Sequence, residues 1–381
     1  MATTETDISD QEAAVYDRQI RLWGVEAQRR MRSSHVLFVG FRTLNAEVCK
    51  NIVLAGVSVT IQDDNVVEPA DLGGNFFLTA EALGKNRGEA AAPAVQELNP
   101  LVKVGVMTKQ ARDLALEDLK PFSMVCVADG NMDTIVNLNA MCRALSIGFV
   151  SAWSFGWSAT VFQDLGDTHT YLAKTITNKL NADGEKVVAH EPREASFCSL
   201  KDALSVSLKD VVEPQRKRRR TMTTRNSSLA IGEQFCALQV LQSLDAAPGA
   251  DTWAEPAARE LTETIMSTQN ISPEQLSEDA VVELVKGARL GAELSPTCAV
   301  VGGIIGQELL KGITGKDAPV NNFFFFDGMS GAGIMRQLAP PAADTDADAK
   351  EENSETKSSH AAVETAEAVP PIVPAVTEID D

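Results

Sequence analysis

The chain has 381 residues, of which 44% are hydrophobic, and a formal net charge of −19. That length leaves room for two or three domains of roughly 150 residues, or for one elaborated α/β domain, with apolar content enough for a sizeable core. The acidity argues against nucleic acid as a partner, and no apolar run approaches the ~18 residues that a membrane span needs.

The first ten residues, MATTETDISD, read as a flexible, acidic start without a secretory signal, so an intracellular location is expected. Ser9 and Glu12 form an S-x-x-E capping box, which predicts a helix carrying Tyr16, Ile20, Leu22, Trp23 and Met31 on its buried side. Within it, YDRQIRLWG (residues 16–24) mixes bulky apolar groups with Arg18 and Arg21.

Residues 35–64, HVLFVGFRTLNAEVCKNIVLAGVSVTIQDD, read as strand, tight turn, helix, strand and acidic strand end, the opening of a Rossmann-type fold. A phosphate-cradling turn has the pattern G-x-G-x-x-G, because a missing Cβ lets backbone approach phosphate. Here the turn is Gly40, Phe41, Arg42, Thr43, Leu44 and Asn45. Only the first glycine survives, so the side chains of Arg42 and Asn45 are expected to intrude on a nucleotide. Asp63 stands where such folds hydrogen-bond a ribose hydroxyl.

A loop over 66–79 and a helix over about 80–98, interrupted by Pro93, follow. Residues 101–107 and 123–128 read as parallel strands buried on both faces, separated by a helix over 113–119. A crossover helix is expected over 132–145, then strands over 148–153 and 158–163 continuing the sheet in antiparallel fashion. These elements place a Rossmann-like domain over residues 11–172.

Residues 173–228 read as a polar loop. It includes Arg216, Lys217, Arg218, Arg219 and Arg220, a run that fits a nuclear-import signal or a solvated loop better than a nucleic-acid patch, because aromatic residues are not interleaved with it. A helical insertion spans 229–295, with helices over 229–244, 257–266 and 273–286. The chain then returns to the first fold over 296–338. Gly302 and Gly303 inside an apolar helix cost ~1 kcal/mol each relative to alanine, which predicts close approach of a neighbour. Phe323 to Phe326 cannot all face one side of a strand, so that strand should be covered on both faces.

Residues 339–381 form an acidic tail expected to be disordered, since its eleven acids against two lysines are accompanied by few large apolar groups. The six cysteines, scattered and without a C-x-x-C pair, read as small buried residues, and with four unclustered histidines they give no metal site. Cys298 is the one cysteine considered as a nucleophile.

Taken together, YDRQIRLWG, the βαβ unit, Ala55-Gly56-Val57, Gly84-Lys85-Asn86-Arg87, Leu98-Asn99-Pro100, CAVVGGIIGQELLK and NNFFFFDG resemble the small subunits of SUMO-activating enzymes. These belong to the ubiquitin-activating, ThiF- and MoeB-like adenylating family. The resemblance covers residues 12–338 and implies an α/β, Rossmann-like ThiF-type fold with a mixed, mostly parallel sheet. It also implies a heterodimer in which this chain is the non-catalytic half.

The family's S-N-L-x-R-Q segment falls on Ala70-Asp71-Leu72-Gly73-Gly74-Asn75, so its phosphate-binding asparagine and arginine are replaced. Arg87 stands where active members place a phosphate-binding lysine, and the magnesium-binding aspartate falls on Gly130. Gly40, Asp63 and Arg87 are thus remnants of a pocket that should bind no cofactor and no metal. ATP and magnesium are expected on a larger catalytic E1 subunit, which activates SUMO, and Arg18 is expected to reach that subunit's ATP in trans. The equivalent subunit for NEDD8 and a stand-alone Rossmann nucleotide-binding enzyme are the competing readings. The resemblance and the basic run together give a nuclear location, with cytoplasm as the alternative.

Overall fold

Tyr16 and Gly24 divide the N-terminal segment where one long helix was expected. In the computed structural model, which describes residues 10–128, 130–180, 186–212, 222–246 and 253–340, it forms α1 (Asp10–Val15), α2 (Asp17–Trp23) and α3 (Val25–Ser33). Gly24 has φ +84°, a value that helices exclude and glycine tolerates. Leu22, expected on the buried side, is 75% exposed, while Tyr16 and Met31 are buried as expected. Ser9 of the expected capping box lies outside the described residues; Glu12 instead pairs with Arg32 at 3.0 Å, tying α1 to α3.

The βαβ unit follows as β1 (His35–Val39), α4 (Thr43–Leu54) and β2 (Ser58–Gln62). Next come α5 (Arg87–Leu98), continuous through Pro93, and β3 (Val104–Met107). The helix α6 (Leu116–Leu119) is shorter than expected, and β4 (Met124–Val127), α7 (Met132–Leu145), β5 (Gly148–Ser154) and β6 (Ser158–Asp164) complete the body.

Where a polar loop was read over 173–228, the chain pairs β7 (His169–Leu180) with β8 (Lys186–Ala195) as an antiparallel ribbon and then forms α8 (Leu200–Leu204) and α9 (Leu208–Val212). The basic run at residues 216–220 lies outside the described residues, as does the acidic tail beyond Pro340. The inserted helices are α10 (Met222–Asp245), α11 (Glu255–Thr268) and α12 (Glu278–Arg289), followed by α13 (Ser295–Thr314), β9 (Phe323–Asp327) and β10 (Ala332–Arg336).

Eight strands form one sheet in the order β10-β9-β6-β5-β4-β1-β2-β3. The pairs from β5 through β4, β1 and β2 to β3 are parallel, and those from β5 through β6 and β9 to β10 are antiparallel. β3 is an edge strand and only half-buried, so the expectation of burial on both faces holds for β4 and not for it.

Two apolar layers cover the sheet. Phe323 and Phe325 join the layer beneath α7 and α10, whereas Phe324 and Phe326 join the layer beneath α4 and α13. The four phenylalanines are 0–9% exposed, as a strand covered on both faces requires. Gly302 is where α13 touches α4: a Cβ there would lie 2.7 Å from the Glu47 Cβ. Gly303 has open space around it, so the packing argument holds for the first glycine alone. The parallel order reverses direction between β1 and β4, and at such a switch point the carboxyl ends of the strands leave a crevice for a ligand.

Candidate functional site

The crevice at the β1–β4 switch point is filled by the chain itself. Gly40 has φ +73°, making the tight turn that leads from β1 into α4. Phe41 is fully buried, edge-on to Phe38 and stacked on Phe77 at 6.1 Å between ring centroids. Asn45, which was expected to crowd an incoming phosphate, turns inward and donates to the Val39 and Gly40 carbonyls at 3.1 and 2.6 Å.

Arg42 turns the other way and donates to the Gly291 carbonyl at 2.9 Å. Beside it, the Glu293 carboxylate accepts from the Thr43 amide at 2.7 Å and more weakly from the Leu44 amide at 3.4 Å. These amides form the first turn of α4, the place where a Rossmann fold holds a phosphate on its helix N-terminus. Burial pushes the Glu293 carboxyl above the usual carboxylate range, while Arg42 and the two amides pull it down. An internal carboxylate therefore occupies the anion position, with Arg42 as its counter-charge.

The link that carries Glu293 is pinned over the strand ends. Ser154 donates to the Ala292 carbonyl at 3.0 Å, and the Gly156 amide does so at 2.9 Å. Gly291 is required by close approach as well as by its φ of +62°, since a Cβ there would meet the Arg42 guanidinium.

A second helix start at the crevice is closed in the same way. The Met132 amide, first in α7, donates to Asp245 at 2.5 Å, and Asp245 is also paired with Arg289. Asp245 ends α10 and Arg289 ends α12, so the helical insertion supplies both groups. What is left is a cavity of about 70 Å³ lined by Arg42, Gly130, Met132, Trp153, Arg289 and Glu293, room for a few waters. Gly130 brings no carboxylate to it, and no cluster of three metal-ligating groups exists among the described residues.

Asp63 is likewise spent inside the chain. It accepts from the Phe41 amide at 2.8 Å and the Asn65 amide at 2.9 Å, and Arg87 lies 3.4 Å away. Arg87 also pairs with Asp71 at 3.4 Å, and all three side chains are buried. Of the remnants, Asp63 and Arg87 are thus brought together as an ion pair, while Gly40 donates to the Gln62 carbonyl and accepts from Asn45. Cys298 is buried in α13 with its thiol pushed far up by that burial, so it is no nucleophile.

Arg18 is remote from this crevice. It stands exposed on α2, without a hydrogen bond or ion pair among the described residues, whereas Arg21 on the same helix pairs with Asp17 at 3.0 Å. Sequence reasoning missed Glu293, Asp245 and Arg289. The signal available was indirect: a phosphate turn stripped of its glycines leaves helix amides that need another acceptor, and no local pattern says which carboxylate supplies it.

Residues 16–349 match the ThiF family. The chain is also similar to "SUMO-activating enzyme subunit 1" of Homo sapiens, 36% identical over 348 residues that cover 87% of this chain and 97% of that protein. The proteins of that name from Rattus norvegicus and Danio rerio are 35% and 34% identical, each again over 87% of this chain and 96% of their own lengths. The chain belongs to the ThiF family, in the group of SUMO-activating enzyme subunit 1. A crystal structure of selenomethionine PaaA superposes with a TM-score of 0.52 at 12% identity over 89% of this chain and 77% of that one, which shows the ThiF-type fold alone. Within the ThiF family, then, this is a chain in which Glu293 sits on the first amides of α4 at the switch-point crevice.

Proposed function

We propose that this chain is the non-catalytic but required subunit of a heterodimeric SUMO-activating E1 enzyme. In this reading a larger catalytic subunit binds ATP and magnesium, adenylates the C-terminus of SUMO and captures it as a thioester. The observation that carries the proposal is the Glu293 carboxylate on the Thr43 and Leu44 amides, because a pocket whose anion position is already filled cannot present an α-phosphate for attack. The relatives' shared name supports SUMO over NEDD8 as the modifier.

Arg18 is the group this chain contributes to the reaction. It is exposed and has no partner among the described residues, and four residues on, on the same helical face, Leu22 is 75% exposed. An apolar side chain next to an exposed guanidinium suits a surface covered by a partner, with the guanidinium reaching the partner's ATP. A planar, always-charged fork binds two phosphate oxygens at once, which an ammonium does not. The basic run at residues 216–220 gives the subunit a nuclear address, and replacing it with neutral residues should lower nuclear accumulation without changing activity in vitro.

The test is ATP–pyrophosphate exchange and thioester formation. The isolated chain is expected to give no exchange; adding the larger subunit should give exchange and thioester on SUMO and not on NEDD8. Robust exchange by the isolated chain, or equal thioester on NEDD8, overturns the proposal.

A further inference from the structure

Three of the segments that carry the family resemblance meet at one point, and the crevice does not account for them. Tyr16 opens YDRQIRLWG, Gly56 is the centre of Ala55-Gly56-Val57, and Asn99 is the centre of Leu98-Asn99-Pro100. The Tyr16 hydroxyl accepts from Asn99 Nδ2 at 2.8 Å, and the same amide donates to the Val53 carbonyl at 2.8 Å. Gly56, at φ +92°, makes room for the ring: a Cβ there would lie 2.8 Å from Tyr16 Cζ. Tyr16 is 4% exposed and Asn99 5%, so this is a closed seat between α4 and α5.

The helix that follows touches the core weakly, through the half-buried Trp23 at its end. None of the residues of α2 is buried. Its first intrahelical bond runs from the Ile20 amide to the Tyr16 carbonyl at 2.9 Å, so fixing Tyr16 fixes where α2 starts, two residues before Arg18. Gln19 adds a second pin by donating to the Leu54 carbonyl at 3.2 Å, and Lys316 holds the far end at the Trp23 carbonyl.

We infer that Tyr16 and Gln19 are positioning residues for Arg18, seating α2 on α4 and α5 so that the guanidinium is held in one place for the partner's ATP. The inference rests on the reading of Arg18 given above. Without the two pins the start of α2 is held only from its far end, by Trp23 and Lys316, and displacement of a catalytic group by about 1 Å costs up to ~10²-fold.

The experiment is a double-mutant cycle in the reconstituted heterodimer, with adenylate formation resolved into kcat and KM for ATP and with assembly checked by gel filtration. Tyr16→Leu, which keeps apolar volume in the seat, is expected to lower kcat roughly tenfold, and Gln19→Ala two- to fourfold. Tyr16→Phe keeps the ring in place and should retain most of the rate. In an Arg18→Ala background both losses should shrink to less than about twofold, the behaviour of residues that act through Arg18.

If Arg18→Ala is itself silent, the reading of Arg18 falls and these residues have nothing to position. If Arg18→Ala is costly while Tyr16→Leu and Gln19→Ala are silent, or cost the same factor in both backgrounds, the positioning role alone falls. Gln19 lies at the surface of α2, so its variant decides the matter even where Tyr16→Leu fails to assemble.

Discussion

Arg42 donates to the Gly291 carbonyl and balances the Glu293 carboxylate, whereas Arg18 stands in solvent without a partner among the described residues. The two belong to regions with opposite fates. Around Arg42, polar groups of the crevice are bonded inside the chain: Asp63 with Arg87, Asn45 with two carbonyls, the α4 amides with Glu293. On α2, a charge and an apolar side chain are left for something else to cover. The first region is closed by bonds within the chain, and the second leaves its groups open to solvent, which is why the proposed contribution to catalysis is placed on α2.

The sharpest way to break the comparison is to attack the closed region where its charges are buried. Arg87→Met leaves the Asp63 and Asp71 carboxylates buried beside an uncharged chain, and breaking such a pair by removing one partner costs about 3–5 kcal/mol. Urea unfolding should show that loss; a change below about 1 kcal/mol would mean that Arg87 is not what holds the remnant site together.

The open region is probed by Arg18→Ala in the heterodimer. Arginine fingers in phosphoryl transfer are worth ~10³-fold or more, and since adenylation expels pyrophosphate, a smaller loss of roughly 10–10²-fold is expected here. Arg18→Lys should restore part of it. A normal thioester rate with an unchanged KM for ATP would return Arg18 to the status of Arg21, an ordinary surface charge.

The plug itself has a pH signature. Burial raises the Glu293 carboxyl above its ordinary value, so the folded state holds this proton more tightly than the unfolded state does. Stability from that group is fully present below the ordinary glutamate pKa and is lost as pH rises through the raised folded value. Relative to Glu293→Gln, the wild-type chain should therefore gain stability as pH falls from neutral toward the glutamate range. A difference between the two that does not vary with pH would show that Glu293 titrates normally. The smallest effect belongs to the tail: residues 341–381 carry eleven acids against two lysines and few large apolar groups, so deleting them should move the melting temperature by no more than about 1 °C and leave partner activation intact.

Much of this was legible along the chain. β1, α4 and β2, the crossover helix α7, the antiparallel turn from β5 to β6 and the four-phenylalanine strand all follow from periodicity, because alternation and 3.6-residue spacing report burial directly. The ribbon of β7 and β8 did not show: its apolar residues are interspersed with many polar ones and it pairs outside the main sheet, so it carries no sustained apolar alternation to read. The split of the first helix escaped for a different reason, since Tyr16 is buried by α4 and α5 and not by its own neighbours.

The sequence by itself determined that the nucleotide turn was stripped, since glycines at positions 42 and 45 are replaced whatever the fold does with them. Only the tertiary structure decided what took the phosphate's place. The Thr43 amide and the Glu293 carboxylate are 250 residues apart. An orphan helix amide donates to whichever buried acceptor the topology delivers, and that choice is set by how the inserted helices fold back over the strand ends, information that no local spacing contains.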